Sequence, residues 1–332
     1  DLAMFNNRLE FTAEWYKNKS EDLLYGVPVP EQTGVANTTV TMNAASMENC
    51  GFEFSATYRN RDHAFKYDIS ANLSTLKNKV TSLGFGTESY ITGAYATYVG
   101  QEIGQFYGWV YKGIARTQDD LDNNAVQQGA NIGDCLYEDI SGPNGTPDGV
   151  IDAYDQTVLG SGLPKVNFGL STHMEYKGFD LNISTYGVLD YHVTDDIYNS
   201  LNSCYGYGNK DVAMLDANRW SEDGSTYLSN VPRTYAANNA TLGWNDLFSS
   251  RKIQNAAYWK IANVELGYNF PDKWFGGYVS GVRLYVSAQN LYTFTGYHGY
   301  NVDYAGGTFT PGYNFCSFPS ARTFMCGLHF TF

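Results

Sequence analysis

The sequence predicts an all-β chain, a transmembrane antiparallel β-barrel with short turns on one rim and long loops on the other. Three observations predict it. Apolar side chains recur at every second residue in about eight separate stretches. The connections between those stretches alternate without exception between short and long. The chain also carries 28 Tyr and 19 Phe beside 9 Pro, with no apolar run near the roughly 18 residues that a membrane helix needs.

Composition narrows the classes further. With 43% hydrophobic and 17% charged residues among 332, the chain can build one large or two ordinary domains, and a folded protein is expected. A net charge of −13 argues against nucleic acid, whose phosphates call for basic patches. Cys50, Cys135, Cys204, Cys316 and Cys326 are widely spaced with no CxxC pair, so they read as unpaired small hydrophobes and not as a zinc or catalytic set. The chain starts at Asp1 without an initiator Met or a signal peptide, and Asp1 to Phe5 reads as the tail of a strand that begins earlier. A longer polypeptide is therefore expected.

Taken in order, Asn6-Asn7 makes a turn into the first stretch, where Leu9, Phe11, Ala13 and Trp15 alternate with Glu10, Thr12, Glu14 and Tyr16. A polar, Pro-containing loop over about 26–48 follows. Phe52, Phe54, Ala56 and Tyr58 resume the pattern against Glu53, Ser55, Thr57 and Arg59, and Asn60 to His63 connect tightly to Phe65, Tyr67, Ile69, Ala71 and Leu73. A long irregular loop is expected over 77–163. Val166 to Tyr176 and Phe179 to Thr185 then form a hairpin about the turn Lys177-Gly178.

A second long loop, 191–255, leads to Ala262, Val264, Leu266, Tyr268 and Phe270, and Pro271 to Ser280 connect to Val282, Leu284, Val286 and Ala288. Asn290 would fall on the apolar side, so a bulge or the membrane boundary is expected there. After a third loop, 296–319, the chain closes on Phe324, Cys326, Leu328, Phe330 and Phe332, alternating with Thr323, Met325, Gly327, His329 and Thr331.

The short turns are Asn6-Asn7, Asn60 to His63, Lys177-Gly178 and Pro271 to Ser280, which places them on the periplasmic rim and the long loops outside the cell. Apolar-face rings gather beside those turns: Tyr58, Phe65, Tyr67, Tyr176, Phe179, Tyr268, Phe270, Phe330 and Phe332 form one girdle. The opposite face holds Glu10, Glu14, Arg59, Lys66, Asp68, Glu175, Asp180, Glu265 and Arg283. An eight-stranded barrel has an interior just filled by side chains, so this much charge suits a wider, watered lumen.

The stretches FNNRLEFTAEWYKNKSEDLLYGVPVP (Phe5 to Pro30), GQFYGWVYKGI (Gly104 to Ile114), PDGVIDAYDQTVLG (Pro147 to Gly160), FGLSTHMEYKGFDL (Phe168 to Leu181), RWSED (Arg219 to Asp223), AAYWKIANVELGYNFP (Ala256 to Pro271), VRLYVSAQNLYTFTGYHGYNVD (Val282 to Asp303) and FPSARTFMCGLHFTF (Phe318 to Phe332), in this order, resemble the C-terminal part of a SusC-like (SusC/RagA) TonB-dependent outer-membrane transporter of Bacteroidetes. The resemblance implies that residues 1–332 are part of a 22-stranded barrel whose plug domain and first strands lie outside this sequence. It further implies import of oligosaccharides, or in some members peptides, beneath a SusD-like surface lipoprotein and energised by the TonB complex. Two alternatives remain open: a surface carbohydrate-binding β protein or glycosidase without a membrane span, and an independent eight-stranded anchor barrel without active transport.

Two sets of loop residues are candidates for binding. Asn144, Thr146, Asp148, Val150, Asp152 and Asp155 fall on twelve-residue calcium-loop spacing, with Gly149 at the sharp turn, the Val150 carbonyl as a ligand and Asp139 as a substitute first ligand. The same spacing is met by a hydrogen-bonded Asx-turn that needs no metal. Tyr205, Tyr207, Trp220, Trp244, Tyr297 and Tyr300 could stack on sugar rings, or simply pack the loops together. The five histidines have no Ser or Cys partner in a GxSxG or HExxH motif, so no enzyme is expected. The pair Asp195-Asp196 sits in a loop and reads as solvated.

Overall fold

A computed structural model of the chain describes residues 1–28, 39–204, 209–214, 220–221, 229–234, 243–275, 280–303, 306–315 and 317–331. One antiparallel sheet organises them. Its strands are β1 (Leu2–Met4), β2 (Leu9–Pro28), β3 (Thr39–Asn60), β4 (Phe65–Thr75), β5 (Lys77–Ser82), β6 (Val166–Tyr176), β7 (Phe179–Leu189), β8 (Tyr258–Phe270), β9 (Gly281–Thr295) and β10 (Thr323–Thr331). They lie in the order β1-β2-β3-β4-β6-β7-β8-β9-β10, with β5 continuing the line of β4 along β3. Among the described residues β1 and β10 do not pair, so the expected barrel is present as an open up-and-down wall.

The short connections carry the conformations their residues favour. Lys177 (φ 49°) and Gly178 (φ 87°) both sit in the left-handed region, the two-residue arrangement whose twist matches an antiparallel pair. From that turn β6 and β7 stay in one register from Tyr176 opposite Phe179 to Val166 opposite Leu189. Phe5, Asn6 and Asn7 likewise have positive φ between β1 and β2.

Cross-strand partners share a face, so the register turns sequence alternation into two surfaces. On one surface Trp15, Phe52, Phe179, Val286, Phe324 and Leu328 are each more than half exposed. A second group of rings, Trp259, Tyr292 and Phe294, stands on this surface at the loop end of β8 and β9, with Trp259 stacked on Phe294 at 5.3 Å. An apolar face bounded by rings at both ends is the outside of a membrane strand wall.

The other surface is tied by ions. Arg59 bonds Glu10 at 2.7 Å, Lys66 lies 3.6 Å from Glu175, and Arg61 pairs with Asp68. Arg283 reaches Glu265 at 2.7 Å and, through Nε, Asp180 at 3.0 Å. Gly267 permits that crossing, because a Cβ there would stand 2.5 Å from the Arg283 guanidinium and 2.6 Å from the Asp180 carboxylate. These charges neutralise one another along the wall, so they describe a polar lining without fixing the width of the lumen.

Two sequence expectations change. β2 and β3 remain paired as far as Pro28 and Thr39, inside the stretch read as the first loop, with register shifts around Ser20 to Leu24. Strict alternation fails there because each shift moves the following residues to the other face. The 77–163 stretch is not irregular: β5 opens it, and short strands Ser89–Thr92, Tyr95–Tyr98, Gln105–Gly108 and Thr157–Ser161 form a small sheet of their own, while Tyr111–Ile114 pairs with Cys135–Tyr137. Strands of three to five residues fall below the length at which a period of two can be read.

The apolar cores of the described residues sit at the long-loop end. One contains Tyr25, Val27, Ala45, Val80, Leu83 and Ile103; a second, Cys135, Tyr137, Ile151 and Trp244; a third, Val188, Tyr191, Val193, Ala256, Tyr258, Tyr297 and Val302.

Candidate functional site

The long loops form a packed cap whose polar ties are themselves buried. Asp195 ends the strand His192–Asp195 and caps the short helix Asp196–Leu201 by accepting from Tyr198 N at 2.8 Å. Its other oxygen accepts from the Tyr297 hydroxyl and from Asn314 Nδ2 at 3.2 Å, and Asn314 also donates to Tyr297 Oη at 2.7 Å. Asp195, Tyr297 and Asn314 are all buried, so the expectation that Asp195 is solvated is overturned. A buried carboxylate persists where donors surround it. Burial pushes the Tyr297 hydroxyl well above the usual tyrosine range and Tyr191 to about 12.

A second tie joins more distant loop segments. Asp134 receives two bonds from Arg233, at 2.7 and 2.8 Å, and one from Asn245 Nδ2 at 2.9 Å, while Asn245 Oδ1 accepts from Cys135 N at 2.7 Å. Tyr137 donates to the Trp244 carbonyl, and Trp244 Nε1 to the Gln128 carbonyl at 3.2 Å. Burial pushes the Cys135 thiol up to about 12, so it is an inert packing group. Among the described residues Cys50, Cys135, Cys204 and Cys326 form no disulfide; Cys316 lies outside them.

The calcium-spaced stretch closes on itself. Asp155 is fully buried and accepts from Ile140 N (2.8 Å), Ser141 N (3.1 Å) and Asp152 N (2.8 Å). Asp152 accepts from Tyr154 N at 2.7 Å, Asp148 from Val150 N at 3.0 Å, and Asp139 from Gly149 N at 2.7 Å. Asn144 and Thr146 stay exposed. The carboxylates point at backbone donors, and among the described residues no group of three or more acidic, His or Cys side chains is placed to hold a metal. Asp148 and Asp152 each accept from the amide two residues on, the bond of an Asx-turn.

The aromatic candidates separate by burial. Tyr205 and Tyr207 lie outside the described residues. Trp220, Trp244 and Tyr297 are buried in the cap and pack it. Tyr300 is 60% exposed and lines a cleft of about 320 Å³ with Lys260, Thr293, Asn301 and Arg322. Lys260 is held there by Asp303 at 2.6 Å, and Asp303 also accepts from Tyr186 Oη at 3.2 Å. Aromatic faces beside fixed hydrogen-bonding groups can hold a polar, ring-bearing ligand.

Sequence reasoning missed Lys260 and Tyr186. Even-numbered residues of β8 carry its apolar face, which would put Lys260 outside. Ala262 is an extra residue relative to β7, and Asn290 (φ 51°) with Leu291 forms the matching irregularity in β9. Beyond this double bulge the faces exchange, so Lys260 turns inward opposite Tyr186. The bulge expected at Asn290 was the available signal.

No protein-family model matches the sequence. Over its whole length the chain is 31% identical to TonB-dependent receptor P3 of Formosa agariphila and 26% identical to TonB-dependent receptor SusC of Bacteroides thetaiotaomicron. The chain belongs to the TonB-dependent receptors of the SusC/RagA family. As such it is an outer-membrane protein and not an enzyme. It spans about a third of the length of these relatives, 33% of the first and 31% of the second. The RagAB peptide transporter has the same fold over 98% of this chain and 33% of its own, with a TM-score of 0.77 at 22% identity.

Proposed function

We propose that this SusC/RagA-family chain is the C-terminal part of a 22-stranded barrel that imports oligosaccharides or peptides across the outer membrane, driven by TonB and covered by a SusD-like surface lipoprotein. One observation carries the reading: an antiparallel wall with an apolar, ring-bounded outer face and an ion-paired inner face, capped on one rim by packed loops. A wall of that kind suits passage of a hydrated cargo, and the cap suits its selection. The peptide alternative draws support from the fold shared with RagAB, a peptide transporter.

Within the cap, the cleft lined by Tyr300 and by Lys260, which Asp303 holds, is our candidate for cargo contact, because it combines an exposed ring with oriented charge on the inner side of the wall. The test is uptake of labelled oligosaccharides and of labelled peptides by cells carrying the full-length receptor, with Tyr300→Ala and Lys260→Met as variants. Reduced uptake at unchanged surface expression supports the reading. Uptake of neither cargo class by the unmodified receptor overturns it. Co-purification of a surface lipoprotein with the receptor tests the lid.

A further inference from the structure

Beyond Trp15 and Phe52 the outward face of β2, β3 and β5 changes from rings to lysines. Strand pairing sets Lys17, Cys50 and Lys77 in one row across the three strands, and Lys19, Glu48 and Lys79 in the next. All six share parity with Trp15 and Phe52 and so face away from the inner wall. With strands about 4.8 Å apart and alternate residues about 6.7 Å apart, the four lysines rise from a rectangle of roughly 10 by 7 Å.

The patch is only partly neutralised. All four lysines are exposed. Lys17 lies 3.0 Å from Glu48 and Lys19 2.5 Å from Glu21, whereas among the described residues Lys77 and Lys79 make no ion pair. In a chain of net charge −13, four cations against two carboxylates is a local reversal of sign. Lys77 and Lys79 also line a cleft of about 610 Å³ that Glu102, Lys165, Asp190 and His192 complete.

Height on the wall identifies what meets these charges. From Tyr58, beside the short-turn rim, the strand runs to Cys50 over the roughly 9–11 residues that a tilted membrane strand needs. The first lysine row thus stands at the outer margin of the hydrocarbon, and the second just beyond it, at the level of lipid headgroups. We propose that Lys17, Lys19, Lys77 and Lys79 form a binding site for the phosphate groups of an anionic lipid of the outer leaflet. Compact ammonium groups on flexible stems suit a multiply charged phosphate. The proposal rests on the apolar face lying in lipid.

The test uses the full-length receptor in non-ionic detergent, titrated with diphosphorylated lipid A and, separately, with phosphatidylcholine, bound lipids being counted by native mass spectrometry. Each lysine near an anionic headgroup strengthens binding about five-fold, so changing all four to Gln is expected to weaken lipid A binding at least ten-fold. Glu48→Gln, which frees Lys17, is expected to strengthen it. Lys112→Gln, on a loop, is expected to change nothing. Equal binding by the quadruple variant, equal retention of phosphatidylcholine, or displacement of lipid A by millimolar inorganic phosphate would each overturn the proposal. Should the quadruple variant fail to fold, Lys77→Gln with Lys79→Gln and the Glu48→Gln variant carry the same test. Heat-modifiability and detergent extraction of the unmodified receptor test the membrane reading separately.

Discussion

The Tyr297 hydroxyl donates to the buried carboxylate of Asp195, joining two long loops whose residues are 102 positions apart. Asn314 completes the tie from the same side. Tyr297→Phe keeps the ring and removes the donor, leaving Asp195 with one partner fewer in a buried site. The expected cost is about 1–3 kcal/mol, read as faster proteolysis of the cap on intact cells at unchanged amounts of membrane-inserted receptor. Proteolysis at the original rate would show that the tie does not hold the cap.

On the inner wall, Arg283 serves two carboxylates, one of them, Asp180, almost fully buried. Arg283→Met strands both, and the expected loss is about 3 kcal/mol in thermal unfolding of the refolded receptor. Adding Asp180→Asn should recover part of it, since the remaining uncompensated charge is smaller. Gly267→Val is expected to resemble Arg283→Met because its side chain would occupy the path of the guanidinium.

The cap should loosen in alkali. Cys135 moves from its usual value of 9.0 to about 12, and Tyr191 from 10.0 to about 12, both through burial. The folded chain therefore keeps protons that the unfolded chain releases. Stability from these groups is complete below pH 9 and falls as pH rises from there toward 12. Protease sensitivity of the loops measured between pH 8 and 11 should increase with pH, and Cys135→Ser should flatten the lower part of that rise.

Asp155 closes the 139–155 turn with three backbone donors. We expect Asp155→Ala to destabilise the cap by several kcal/mol, since it leaves three N–H groups without an acceptor. Calorimetry of the refolded receptor with Ca²⁺ is expected to show no binding heat. A heat that Asp148→Ala abolishes would restore calcium to this loop.

Trp244 and Tyr300 should respond differently to truncation. Trp244→Ala opens a buried cavity and is expected to cost about 3–5 kcal/mol, lowering the amount of receptor at the surface. Tyr300→Ala is expected to leave that amount unchanged and to affect uptake alone.

The wall was legible in the sequence because each inner and outer position is decided by its own side chain. Phe65 to Leu73 and Val166 to Tyr176 could be placed on their faces by counting in twos, and the register follows that count residue for residue. The cap was not legible in that way. Asp195 read as exposed because its partners, Tyr297 and Asn314, arrive from more than 100 residues away, and two of the donors to Asp155, the Ile140 and Ser141 amides, lie just before the twelve-residue stretch whose spacing was read. Lys260 was lost to a single inserted residue, Ala262, because the positions before it on that strand, Tyr258 to Ile261, lie on the sides opposite to those counted back from Phe270.

The division between a wall held by backbone ladders and a cap held by three small cores at the wall's loop end has an evolutionary consequence. Specificity can drift through exchange of whole exterior segments, as in antibody hypervariable regions, while the membrane frame stays constant. Transplanting the stretch between β5 and β6 from one relative into another should then give a chimaera that still inserts and differs only in what it recognises.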